Sequence, residues 1–371
     1  MYNLDELMRT PSVAEEVRQQ VHGDAEPTYL RSIKIKIISN CNLRCEMCKY
    51  WRIAKQKIEI DVIKRVLDDA VELGSKKVHF SGGEVTLHPD LEEAISHAAG
   101  LGMRVNLTSN GILMDKPRAK RWIAAGLRSA SFSLDGIDSK THDKIRGVDG
   151  AWKRTVKAVH ILRREIARRK TKLKIRINTV LSKQNHRQLP GLIRLAGEMG
   201  ALDVLPMPID GDAVPRPSVE EIKRFNEEIA PLCLAERQRY GMSIDAGRLY
   251  PFGRTEEEME FAAAGHYAFG HYKEHPCYAP WLHAFVSHPG DIYACCMTRE
   301  RMPSLGNVNT QSLIEIFRGE PYRKFRRQML AERMEICGNC DQYLRENRVV
   351  QTKLVQLETP SFAVSSVEGA S

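Results

Sequence analysis

From Ser32 onward the chain alternates between two patterns. Ile33, Ile35 and Ile37 are separated by Lys34 and Lys36, the period of a strand with one buried face. Val62, Ile63, Val66, Leu67 and Val71 then recur at helical spacing across Asp61–Leu73, and Gly74 stands where a helix stops. Further strands are predicted at Lys77–Ser81, Arg104–Thr108, Ser129–Leu134, Lys174–Leu181 and Leu202–Met207. The helical segments between them centre on Asp90–Ala99, Pro117–Ala125, Trp152–Arg169 and Pro190–Met199. Strand–helix–strand units of roughly 25 to 40 residues predict a parallel sheet, either doubly wound or curled into a partial barrel, with functional loops at the C-terminal strand ends.

The flanking regions read differently. Residues 1–30 are polar with scattered apolar positions, an N-terminal extension of short helix and loop. The strand unit over 31–210 ends in a proline-rich stretch, Pro206, Pro208, Pro215 and Pro217, and a charged helix is expected from Ser218 to about Arg239. Residues 211–276 form a helical and irregular linker, 277–345 a small domain of short segments held by a metal centre, and 346–371 a tail ordered only in part.

Composition narrows the class. The 371 residues are 42% apolar and 28% charged, a size and balance that allow a full core. No apolar run approaches the ~18 residues that span a bilayer, and Met1-Tyr2-Asn3-Leu4-Asp5-Glu6 does not begin a signal peptide, so a cytoplasmic protein is expected. Nine cysteines are an odd number for a disulfide framework, and they cluster: three in Cys41–Cys48, five in Cys277–Cys340, with Cys233 alone. Metal binding or thiol chemistry in a reducing compartment explains that distribution better.

Cys41, Cys45 and Cys48 stand directly after the first strand, at the expected catalytic rim. Three thiolates on a four-iron cluster leave one iron open to substrate or cofactor; a zinc site with a fourth ligand from elsewhere and three inert core thiols are the alternatives. Ser81-Gly82-Gly83-Glu84 follows the second strand, with glycines that permit close backbone approach and a carboxylate that offers acceptors.

The Cys-x3-Cys-x2-Cys loop followed one strand later by Gly-Gly-Glu resembles the radical S-adenosylmethionine (SAM) superfamily. The resemblance implies a (β/α)6 partial TIM barrel, a 4Fe-4S cluster on Cys41, Cys45 and Cys48, and SAM as cofactor with its methionyl amine at Gly82, Gly83 and Glu84. It further implies reductive release of a 5′-deoxyadenosyl radical that takes hydrogen from an unactivated carbon. Ser109, Ser133 and Asn178 match cofactor-contacting positions more loosely. For Ser109 and Asn110 a turn with Gly111 at positive φ is the competing reading, and for Asn178 a polar rim position. Met47 stands where the superfamily often has an aromatic residue, and its thioether can still pack on the adenine.

Cys277, Gly290-x4-Cys295 and Cys337-Gly338-Asn339-Cys340 form a second set. Four thiolates can fully ligate a cluster or a structural zinc. The pattern, with Pro280-Trp281 and Leu305-Gly306-Asn307-Val308, resembles the Twitch domain, the shorter relative of SPASM, and implies one auxiliary 4Fe-4S cluster. Cys295 and Cys296 point opposite ways in extended backbone, so one of them ligates, and the glycine spacing favours Cys295. Cys296 and Cys233 are then either buried apolar thiols or hydrogen-atom donors to a substrate radical.

Within the superfamily the resemblance points to dehydrogenation of a secondary alcohol on a sugar or aminocyclitol, as in 2-deoxy-scyllo-inosamine dehydrogenase, with the auxiliary cluster accepting an electron. Radical sugar epimerisation, peptide maturation, and a metal-stabilised binding protein are the alternatives. Lys plus Arg number 56 against 47 Asp plus Glu, a net charge of +9. The basic run Arg163, Arg164, Arg168, Arg169, Lys170, Lys172, Lys174 and Arg176 reads as a solvated outer face or as a docking surface for an acidic flavodoxin or ferredoxin. RNA binding is disfavoured, because no aromatic stacking positions accompany those charges.

Overall fold

Period-two burial along the strands is the first feature of the computed structural model, which describes residues 10–22, 27, 29–332, 334–340 and 344–358. The readings of Met1–Glu6 and of residues 359–371 of the tail lie outside the described residues. In β5 (Lys174–Leu181), Ile175, Ile177, Thr179 and Leu181 are buried, while Lys174, Arg176, Asn178 and Val180 alternate with them on the more open face. β1 (Ser32–Ile38), β2 (Lys77–Gly82), β3 (Arg104–Ser109), β4 (Ser129–Ser133), β5 and β6 (Asp203–Pro208) pair in parallel, each with its predecessor in the chain. A doubly wound sheet would reverse its strand order at a switch point. This one runs β6-β5-β4-β3-β2-β1 without reversal, which is the partial-barrel form.

The helices are α1 (Pro11–His22), α2 (Ile60–Glu72), α3 (Leu91–Gly100), α4 (Lys116–Ala124), α5 (Ser139–Arg146), α6 (Ala151–Arg169) and α7 (Leu189–Glu198). The periodicity predicts α2, α3, α4, α6 and α7; α1 falls within the short helix and loop expected of residues 1–30, and α5, which carries few apolar residues, is marked by Asp138, whose side chain accepts from Thr141 N, and by Gly147 at φ 67°. The helix expected over Ser218–Arg239 forms, but Phe225–Ile229 within it is a π segment.

Two further strands extend the expected six. β7 (His283–Val286) pairs in parallel with β1, and β8 (Ile292–Tyr293) pairs antiparallel to β7. The segment 277–345, expected as a small separate unit, thus contributes strands to the barrel sheet beside the first cysteine loop. Ser32 Oγ and His283 Nδ1 lie 2.9 Å apart at that seam.

β1 departs from its expected one-faced pattern. Lys36 is only 8% exposed, and its ammonium lies against the Tyr50 ring. The basic run divides similarly. Arg168 and Arg169 pair with Glu165 on the outside of α6, and Arg163 Nη1 donates to Glu198 O, whereas Arg176 lies on the inner face and donates to Ser129 Oγ at 2.6 Å.

No helix among the described residues is long and apolar enough to cross a membrane.

Candidate active site

The ends of β2 and β3 are tied together by one carboxylate. Glu84, 1% exposed, accepts from Thr86 N (3.1 Å), Thr86 Oγ1 (2.6 Å), Ser109 Oγ (2.7 Å) and Asn110 N (2.7 Å). Asn110 Nδ2 in turn donates to Asn42 Oδ1 at 2.7 Å, inside the cysteine loop. Most of the acceptor capacity expected to serve a cofactor is therefore used within the protein. The turn reading of Ser109 and Asn110 also holds, since Ser109 Oγ accepts from Gly111 N and Gly111 has φ 79°.

The two glycines have a local reason as well. Gly83 N donates to Ile38 O (2.7 Å) and Glu84 N to Asn40 O (2.8 Å), which pins the chain just before Cys41. A Cβ on Gly83 would sit 2.2 Å from Ser39 O and 2.3 Å from Asn40 O, and one on Gly82 would sit 2.6 Å from Ile38 O. The close approach is to the backbone beneath the cysteine loop.

α5 clamps the loop from the other side. Arg44 N donates to Arg146 O and Glu46 N to Ile145 O. Arg146 pairs with buried Asp135 at 2.6 Å, and its Nη1 lies 3.8 Å from Cys45 Sγ. Arg146 and Asp135 are not among the residues the sequence singles out; the helix-stop signal at Gly147 is the available clue. Leu43, Cys45 and Ala151 form a small core against which Cys41, Met47, Cys48, Ile112 and Val148 pack. Ser133 and Asn178 are register partners on β4 and β5, both half-buried.

Burial pushes the Cys41 thiol up to about 12 and raises that of Cys45. Such thiols become thiolates when a positive centre compensates the charge, which an iron cluster does. Buried Asn42 Nδ2, next to Cys41, has no hydrogen-bond partner. Three thiols on one loop, an orphaned donor and an arginine beside Cys45 fit a cluster and a polar cofactor there.

The second set also gathers. Cys277, Cys295, Cys337 and Cys340 are all buried, and Cys337 senses the charges of Cys277 and Cys295. Asn347 Nδ2 lies 3.3 Å from Cys277 Sγ, and Cys340 N donates to Cys337 O in a tight turn. Cys296 is half-buried and interacts with Cys277 and Lys36. Cys233 is not brought to either set: it is fully buried on the Ala230–Arg239 helix, which packs on α7. Among the described residues no His, Cys, Asp or Glu side chains converge on a point for a single ion. A four-iron cube takes one thiolate per corner and does not require convergence.

The two cysteine regions touch. Lys49 pairs with Glu300, and Lys36 Nζ lies 3.3 Å from the centroid of the Tyr50 ring. Arg299 approaches the same ring at 5.1 Å, and His288 meets it edge-on at 5.7 Å. Burial, then the charges of Arg299 and Lys34, holds the Lys36 ammonium well below its usual range.

Comparison with known proteins agrees with this arrangement. Residues 35–196 match the radical SAM superfamily and residues 277–341 the SPASM iron-sulfur cluster-binding domain. The chain is 26% identical over 329 residues to an AdoMet-dependent heme synthase of Nitratidesulfovibrio vulgaris, 86% of each protein. It is 31% identical over 175 residues to the enzyme so named in Methanosarcina barkeri, where the match spans 46% of this chain and 48% of that protein. It is 26% identical over 308 residues to the PqqA peptide cyclase of Gluconobacter oxydans, 80% of this chain and 78% of that one. Streptococcus suis SuiB bound to S-adenosylmethionine shares the fold, with a TM-score of 0.62 at 18% identity over 86% of this chain and 74% of that one. The enzyme therefore carries a radical SAM domain over residues 35–196 and a SPASM domain over residues 277–341, and the cofactors of these domains are a catalytic 4Fe-4S cluster, S-adenosylmethionine and an auxiliary 4Fe-4S cluster.

Proposed function

We propose that the enzyme modifies a peptide, with Cys41, Cys45 and Cys48 holding the catalytic cluster and Cys277, Cys295, Cys337 and Cys340 the auxiliary one. The carrying observation is the likeness to PqqA peptide cyclases across both domains, which reaches 28% identity over 326 residues and 83% of this chain for the Xanthomonas euvesicatoria protein. When bound, the catalytic cluster and SAM supply a radical able to remove hydrogen from an unactivated C–H bond. The chain's own residues place and protect that chemistry. Glu84, Ser109 and Asn110 fix the strand ends, Arg146 stands beside Cys45, and Tyr50 with Lys36 closes the space toward the second cysteine set. A small flavodoxin- or ferredoxin-type protein would deliver the electron, and the exposed arginines of α6 are the proposed docking face. Dehydrogenation of a sugar alcohol, the first expectation, has less support than the peptide reading. The nearness of Cys296 to Cys277 supports it, rather than Cys233, as the candidate hydrogen donor of an epimerase reading.

A second reading draws on the likeness to an AdoMet-dependent heme synthase and an Fe-coproporphyrin III synthase, and puts an iron porphyrin in place of the peptide. The test is anaerobic incubation of the reconstituted enzyme with SAM, dithionite and short peptides encoded beside its gene. The expected product is a peptide lighter by the mass of two hydrogen atoms. Conversion of Fe-coproporphyrin III with no change in any peptide would contradict the peptide reading.

A further inference from the structure

Around Tyr50 the protein gathers hydrogen-bond donors and leaves them unused. Tyr50 Oη and His288 Nδ1 are buried with no hydrogen-bond partner, and Arg299 Nε makes no hydrogen bond and has only an ion-pair contact of 3.5 Å with Glu300. Lys36 lies over the ring at 3.3 Å, and among the described residues no acceptor hydrogen-bonds its ammonium. The acids nearby are engaged elsewhere. Glu300 takes Lys49 on one oxygen and stands 3.5 Å from Arg299 Nε on the other, while Asp291 accepts from Asn307 Nδ2. With Lys34, Lys49 and Arg299 against Glu300 and Asp291, the charge left over is positive even before Lys36 is counted.

Leaving a buried donor unmatched is costly, and more so when it is charged, so a cluster of such groups at one place calls for a ligand. Its position defines which one. Tyr50 is two residues after Cys48 and Arg299 three after Cys296, and Lys36 senses the charges of both cysteines. Glu300 holds the loop there in a left-handed conformation, φ 61°, that a non-glycine residue rarely adopts.

We propose that the cluster of Tyr50, Lys36 and Arg299, between Cys48 and Cys296, is an anion site that receives a carboxylate of the substrate peptide, with Lys36 and Arg299 as its basic donors. An ammonium supplies a point charge and a guanidinium a planar fork, a pair suited to the two oxygens of a carboxylate, with the phenol as a third donor. The site selects for an acidic residue beside the modified position, and in this it rests on the peptide reading above.

The test is anaerobic calorimetric titration of the reconstituted, SAM-loaded enzyme with acetyl-Gly-Glu-Gly-amide, its Gln counterpart, and Fe-coproporphyrin III. The glutamyl peptide should bind at least about tenfold more tightly than the glutaminyl one, and Lys36→Met or Arg299→Gln should each remove most of that preference. Lys36→Arg should restore it, which separates loss of the charge from loss of the fold. Equal binding of the two peptides, absence of binding by all three probes, or variants that retain the full preference would overturn the site. If Fe-coproporphyrin III alone binds in a Lys36- and Arg299-dependent manner, the anion site stands and the peptide reading falls.

Discussion

The combined Cys41→Ala, Cys45→Ala, Cys48→Ala variant is expected to release no 5′-deoxyadenosine above background and to carry about four irons where the parent carries about eight. The three thiols share one loop and one small core with Leu43 and Ala151, separate from the main core that includes Cys277, Cys295, Cys337 and Cys340. Removing them should therefore leave the second cluster and the barrel in place. Spectroscopy of the remaining cluster, iron content and product analysis check the outcome together. Loss of all iron would mean that the two sites fold as one, and eight irons with product would mean that these thiols are not the ligands.

The next largest effect is expected from a single methyl group. Gly83→Ala would drive a Cβ into two backbone carbonyls, Ser39 O at 2.2 Å and Asn40 O at 2.3 Å, and neither can move as a side chain can. Those atoms precede Cys41 directly, and Glu84 N already donates to Asn40 O. Overpacking of this kind costs about 1–3 kcal/mol or more, and here it falls on the base of the cysteine loop. The variant should lose most of its SAM cleavage and its catalytic cluster while retaining the auxiliary one. Gly100→Ala is the control: a Cβ there meets nothing within 4 Å and the position is helical, so a neutral or slightly stabilising change is expected. Equal behaviour of the two variants in iron content and product yield would show that the close approach at Gly83 has no consequence.

The parts of the architecture carried by local pattern are legible in the sequence. All six barrel strands lie within a residue or so of their expected bounds, and in β3 and β5 the reason is plain: buried Val, Ile or Leu alternates with a more open, mostly polar row. The three-cysteine loop is legible because its residues are adjacent in the chain. What depends on distant partners is not. β7 is four residues long and finds its neighbour β1 some 250 positions away, as the Ser32–His283 contact shows. Nothing in its own residues specifies a parallel strand. The ordinary preference of lysine would turn Lys36 to solvent, and it is instead buried with its ammonium against the Tyr50 ring. The pairing of Arg146 with Asp135, and of Arg237 with Asp203 at 2.8 Å, likewise joins residues that no periodicity connects. Glu84 shows the converse. Its place in the motif is evident, but most of its acceptor capacity serves Thr86, Ser109 and Asn110.

The central claim is that the chain cleaves SAM by radical chemistry at the loop after β1. Its most direct test is quantification of 5′-deoxyadenosine after anaerobic incubation of the fully reconstituted enzyme with SAM and dithionite. The account predicts that 5′-deoxyadenosine accumulates only when cluster, SAM and reductant are all present. A fully iron-loaded enzyme that forms none under these conditions would contradict it.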